Sequence, residues 1–122
     1  MRELKYPAIY KHFKEKFYAT MGISRYIDID KFKKMLEKDN INIFKLLKMG
    51  VNFTEADEEI VCVNYKDKWY HFDVCEEDLV LYKSLYDNKG AYGRPVEMFL
   101  SEVDKEKYPN ISQKYRFEEF YK

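Results

Sequence analysis

Apolar and polar side chains alternate over residues 80–86, VLYKSLY, with Val80, Tyr82, Ser84 and Tyr86 on one face and Leu81, Lys83 and Leu85 on the other. That is the period of a strand. Asp87-Asn88-Lys89-Gly90 supplies turn chemistry, residues 91–94 are long enough to return, and Pro95 stops the ladder because it has no N–H to give. Behind this corner Val96, Met98, Phe99 and Leu100 form an apolar plug for one end of a barrel. The same alternation predicts a strand at 9–13, a turn at Lys14-Glu15-Lys16 and a second strand at 17–23. The period then changes. Asp28 or Asp30 can cap a helix from Lys31 with Phe32, Met35 and Leu36 on its apolar stripe, and Asn40 can cap a second with Ile43, Phe44, Leu46 and Leu47, closed by Gly50. IVCVNY at 60–65 and WYHFDV at 69–74, separated by Lys66-Asp67-Lys68, predict a hairpin. Residues 104–110 read as a polar linker. Residues 111–122 read as a docking tail, with Tyr115, Phe117, Phe120 and Tyr121 at a spacing more helical than extended.

At 122 residues, 46% hydrophobic and 18% aromatic, the chain is expected to form one domain, 1–122, with its own core. The expected core residues are Phe13, Met21, Ile23, Leu81, Leu85, Met98 and Phe99. No apolar run is long enough to span a membrane and no signal-peptide pattern precedes residue 5, so a cytoplasmic protein is expected. Cys62 and Cys75 make no disulfide framework, and with only two histidines no zinc spacing arises; no metal or cofactor is expected. Glu76-Glu77-Asp78 lacks the alternating oxygens and glycine of a calcium loop and reads as a solvated turn.

Net charge is zero but unevenly spread: residues 1–50 carry twelve Lys/Arg against six Asp/Glu, and residues 51–78 two against nine. The acidic middle disfavours duplex nucleic acid, which is held through many phosphate contacts.

Tyr10, His12, Phe13 and Lys14, the run Met21-Gly22-Ile23, then Val80, Leu81, Tyr82, Leu85 and Tyr86, and finally Tyr92, Arg94, Pro95, Met98 and Phe99 resemble a bacterial and phage family known as domain of unknown function 1653. The resemblance covers 6–24 and 79–103. It departs in Glu15, where the family has Gly, in Tyr92, where it has Trp, and in a long insertion, 25–78. It implies a small SH3-like antiparallel β-barrel, mainly β with an α insertion (α+β), here decorated by two short helices and a hairpin and followed by a tail at 104–122. It implies no established activity.

Arg94 lies between Gly93 and Pro95, so a stiff backbone aims its guanidinium. Two targets are open: a local carboxylate such as Asp87 or Glu97, or an anion in a groove lined by Tyr86, Tyr92 and Trp69. Arg25, His12 and Lys14 complete the candidate set. Guanidinium beside aromatics suits a phosphate plus a base. The leading expectation is a non-catalytic module that sequesters a nucleotide-type signalling molecule, in a host cytoplasm if phage-encoded. A protein- or peptide-binding module that self-associates through its opposed charges is the alternative. A hydrolase has only His12 and His71 in its favour, and neither has a nucleophile or base at triad spacing. His71, alternating with Tyr70 and Phe72, is expected to face outward or lie at an edge.

Overall fold

The computed structural model describes residues 2–120. Eight strands form one sheet: β1 Ala8–His12, β2 Phe17–Tyr26, β3 Lys48–Phe53, β4 Glu58–Tyr65, β5 Lys68–His71, β6 Leu79–Ser84, β7 Ala91–Pro95 and β8 Phe117–Glu119. The order β5-β4-β3-β7-β6-β2 is closed by a β5–β2 contact, which makes a six-stranded barrel, while β1 and β8 continue outward from β2. Closure depends on the length of β2. Phe17–Thr20 pair with β1 and Ser24–Tyr26 with β5, so the two partners share β2 end to end. The pairings β2–β5 and β3–β7 are parallel and the others antiparallel.

Period-2 patterning explains the interior. Val51 and Phe53, Ile60 and Cys62, Leu79 and Leu81, and Ala91 converge in one cluster that fills the barrel. On β7 the inward positions Ala91, Gly93 and Pro95 are buried, and Tyr92 and Arg94 between them project outward. The barrel carries two outer layers. Helix α1, Ile29–Lys38, begins at Asp28, whose carboxylate accepts from the Asp30 and Lys31 amides, and it lays Phe32 and Leu36 over Val63 and Tyr65. On the opposite side Tyr10, Val80, Tyr82, Phe99 and Phe117 form a second cluster, with Phe99 supplied by the single-turn helix α2, Val96–Phe99. Strand β6 is therefore buried on both faces.

Several expectations are corrected. The second helix over 40–49 does not form. Asn40 takes a left-handed φ of 53° and ends α1 instead, Asn42 caps only a 3-10 turn at Ile43–Lys45, and the chain then extends into β3. The barrel rewards extension there, because Val51 and Phe53 reach its interior. Residues 25–78 are consequently more than decoration: they supply β3, β4 and β5, half of the barrel wall. Met21 and Leu85, expected in the core, are exposed, Met21 beside the bulge at Thr20/Gly22 and Leu85 one residue past the end of β6. The tail is extended: β8 pairs antiparallel with β1, Tyr10 opposite Glu119 and His12 opposite Phe117. Tyr121 lies outside the described residues. Among the described residues no helix is long and apolar enough to cross a membrane.

Candidate functional site

The turn between β1 and β2 sets the first wall of a polar cavity of about 420 Å³. His12 donates its amide to the Lys16 carbonyl (2.7 Å), Glu15 takes a φ of 71°, and the Lys14 amide donates to His12 Nδ1 (3.1 Å). With Nδ1 accepting, the neutral ring carries its hydrogen on Nε2. The imidazole is clamped at 4.5 Å from the Phe13 ring and 4.8 Å from Phe117. Arg94 enters from the outward face of β7; its Nε donates to the Tyr82 hydroxyl at 3.2 Å, and its guanidinium carbon lies 5.7 Å from the Phe117 ring centre.

The remaining wall comes from residues 102–116. Asp104 accepts from the Glu106 and Lys107 amides and so forms a tight turn that brings Lys107 and Tyr108 to the cavity. Tyr108 packs on Phe13 at 4.9 Å. Arg116 is fixed by its own amide on the Ser101 carbonyl and by its carbonyl, which accepts from Phe13. Lys14, Arg94, Lys107 and Arg116 thus line one space with His12. Among the described residues none of these four cations has a carboxylate within ion-pair distance. The electrostatic result shows on His12, whose pKa falls to about 4, first through burial and then through Arg94, Arg116, Lys14 and Lys16. Behind it, burial raises the Tyr82 hydroxyl above its ordinary range, and the neighbouring Arg94 opposes the rise.

Three of the seven expected site residues, His12, Lys14 and Arg94, therefore meet in one cavity, with Tyr92 near by through its 5.7 Å ring contact with Tyr82. The local carboxylates Asp87 and Glu97 do not engage Arg94. The other three residues lie elsewhere. Arg25 and Trp69 flank a separate hollow of about 150 Å³, Arg25 also lies 3.7 Å from Asp78, and Tyr86 is 62% exposed. Arg116, Lys107 and Tyr108 were not expected: they belong to a segment that only tertiary pairing folds back, and their one sequence signal is the basic residues of the tail. A larger apolar hollow of about 770 Å³ includes Arg2, but that guanidinium is already committed to the Leu100 and Phe117 carbonyls and the Tyr115 ring.

His71 is not at an edge; it is fully buried. Nδ1 lies 2.7 Å from Ser24 Oγ, and Nε2 faces the Cys75 and Glu77 carbonyls at 3.0 and 3.1 Å. Nε2–H donates to the carbonyls and Nδ1 accepts from Ser24, so the ring ties the 72–78 loop to β2. Burial lowers its pKa, the hydrogen bonds opposing. This Ser–His pair has no access for a substrate. Among the described residues no group of three or more His, Cys, Asp or Glu could hold a metal ion.

A family model matches residues 63–119, that of Protein of unknown function (DUF1653). The match runs from within β4 to the end of β8, so it includes Arg94, Lys107 and Arg116 and leaves His12 and Lys14 outside. No curated protein and no solved structure matches the chain.

Proposed function

We propose, for a chain that belongs through residues 63–119 to the DUF1653 family, that it is a non-catalytic binding module that holds a nucleotide-type ligand by its phosphate. One observation carries the reading: Lys14, Arg94, Lys107 and Arg116 face a common cavity beside the Tyr108 and Phe13 rings, outnumber the two carboxylates of its lining, Glu102 and Asp104, and among the described residues form no ion pair with either. Charge-assisted contacts to phosphate from planar guanidinium groups are among the stronger polar interactions, and an aromatic neighbour suits a base. Sequestration rather than turnover is favoured because both histidines are held by ring stacking or buried hydrogen bonds, with no nucleophile presented to the cavity.

A thermal-shift screen at low salt with nucleotides, cyclic dinucleotides and ADP-ribose derivatives tests this. A ligand at a hundred times its Kd adds about 2.7 kcal/mol to stability. The bound compound should be recovered intact after denaturation. No shift with any of these anions would remove the reading, and recovery of a cleaved product would make the protein an enzyme.

A second reading, self-association, rests on Phe44 and Leu47, which are 84% and 68% exposed on the 3-10 turn and the residues after it. Light scattering coupled to size-exclusion chromatography separates the two states. A dimer that dissociates on Phe44→Ser would support an interface there.

A further inference from the structure

The cationic cavity also contains two carboxylates, Glu102 and Asp104. Opposite charges that share a small space ordinarily pair, yet among the described residues no ion pair joins either carboxylate to Lys14, Arg94, Lys107 or Arg116. The two signs are held apart by the backbone. Asp104 Oδ1 is occupied by the amides of its own turn, and Glu102 is fixed through its backbone bridge to Tyr115, its carboxylate in no ion pair among the described residues. The cavity is thus lined by two kinds of group with opposite demands. The guanidinium and ammonium groups, and His12 through Nε2–H, can only donate, whereas the carboxylates can only accept.

We propose that the ligand of this cavity is a phosphomonoester of a sugar with free hydroxyls, a ribonucleoside 5′-phosphate in chemical class. The inference rests on the phosphate-binding reading above and adds the sugar to it. The phosphate dianion matches the excess of four cations over two carboxylates. Its oxygens accept from Arg94, Arg116 and His12, and the sugar hydroxyls donate to Glu102 and Asp104. A carboxylate holding a ribose hydroxyl is a recurrent solution in nucleotide sites. A phosphate without hydroxyls leaves the carboxylates with nothing to accept and repels them. Discrimination by hydroxyls is expected to be steep, because a site built to hydrogen-bond them leaves its acceptors unmatched by the analogue that lacks them.

The test compares 5′-AMP with 2′,3′-dideoxy-AMP, which has the same base and phosphate, by titration calorimetry on the full chain. Wild-type protein should bind 5′-AMP at least tenfold more tightly. Glu102→Ala, at an exposed position, should keep the melting temperature and abolish that preference by weakening 5′-AMP while leaving or tightening the dideoxy compound. Equal binding of the two by the wild type would overturn the sugar assignment and leave phosphate binding intact. So would a Glu102→Ala protein that tightens both equally, since the carboxylate would then act by repulsion alone. If neither compound binds, this inference falls, and the phosphate reading stands or falls on the wider screen of nucleotides, cyclic dinucleotides and ADP-ribose derivatives.

Discussion

Arg94 has one backbone on each side that fixes it and no acid to spend itself on. Its only polar partner among the described residues is the Tyr82 hydroxyl, through Nε, which leaves the terminal nitrogens of the fork for another acceptor. Arg94→Lys keeps the charge and loses the fork. The melting temperature should hold within a degree or two while affinity for the phosphate ligand falls about tenfold, which corresponds to 1.4 kcal/mol; a large fall in melting temperature with unchanged affinity would make the residue part of the scaffold. His12 makes a prediction of its own. Its pKa is lowered in the fold to about 4 from 6.5, so the unfolded chain binds the proton more readily between those values. Its contribution to stability is complete above about pH 6.5 and is lost as pH falls toward 4; His71, also lowered, adds in the same direction. Urea midpoints between pH 7.5 and 4.5 should fall, and less steeply in His12→Gln; an equal slope in the two proteins would remove His12 as the cause. Arg94 was legible because Gly and Pro flank it and both act locally. Arg116 was not, because Lys-Tyr-Arg-Phe carries no local mark of the strand that β1 imposes on the residues after it.

Between residues and molecule, elements were legible where their partner is near in sequence and obscure where it is distant. The β4–β5 hairpin and the β6 alternation followed from period and turn chemistry alone. Residues 41–53 did not: INIFKLLKMGVNF offers a helical stripe as readily as a strand, and the choice is made by Gly93 and Ala91 of β7, which pair with Phe53 and Val51 some forty residues on. That pairing depends on a missing side chain. A Cβ on Gly93 would lie 3.2 Å from Val51 Cγ2 and 3.4 Å from Leu79 Cδ1, inside the packed barrel. Gly93→Ala should therefore cost about 1 kcal/mol or more, read as a lower denaturation midpoint at constant slope. The first turn errs the other way. Glu15 holds a left-handed φ of 71°, a conformation that favours glycine, and its compensation is a surface ion pair with Lys11 at 3.4 Å, which is worth little. Glu15→Gly should stabilise by roughly 0.5 kcal/mol, the relief of strain slightly exceeding the entropy of the freer unfolded chain. A loss of stability would show that the Lys11 pair matters more than the backbone.

At the scale of the whole molecule the barrel and the site are separable constructions. The barrel closes with β2 to β7 alone, whereas the cavity is assembled from the β1–β2 turn, one residue of β7 and residues 102–116. The uneven charge visible in the sequence is resolved accordingly: Lys14 and Lys16 of the basic first part join Arg94 and Arg116 around His12, and the acidic 51–78 stretch lies on strands that do not reach the cavity. Composition could report the imbalance. It could not report that the tail, nearly neutral by count, contributes two of the four cations.

Strand β8 lies against β1 with Glu119 opposite Tyr10 and Phe117 opposite His12. Force applied between residues 2 and 120 therefore acts at one end of this pair and opens it rung by rung, like a zipper, instead of shearing all rungs at once. The His12–Phe117 rung, beside the cavity, is the last to part. A molecule stretched in an optical trap should yield first at low force as β8 peels away, and then at higher force as the closed six-stranded barrel ruptures. A phosphate ligand bridging Lys14 and Arg116 would raise the first event and leave the second unchanged, so tension would serve as a readout of occupancy. A single rupture, unaffected by ligand, would mean that strap and barrel fail as one body.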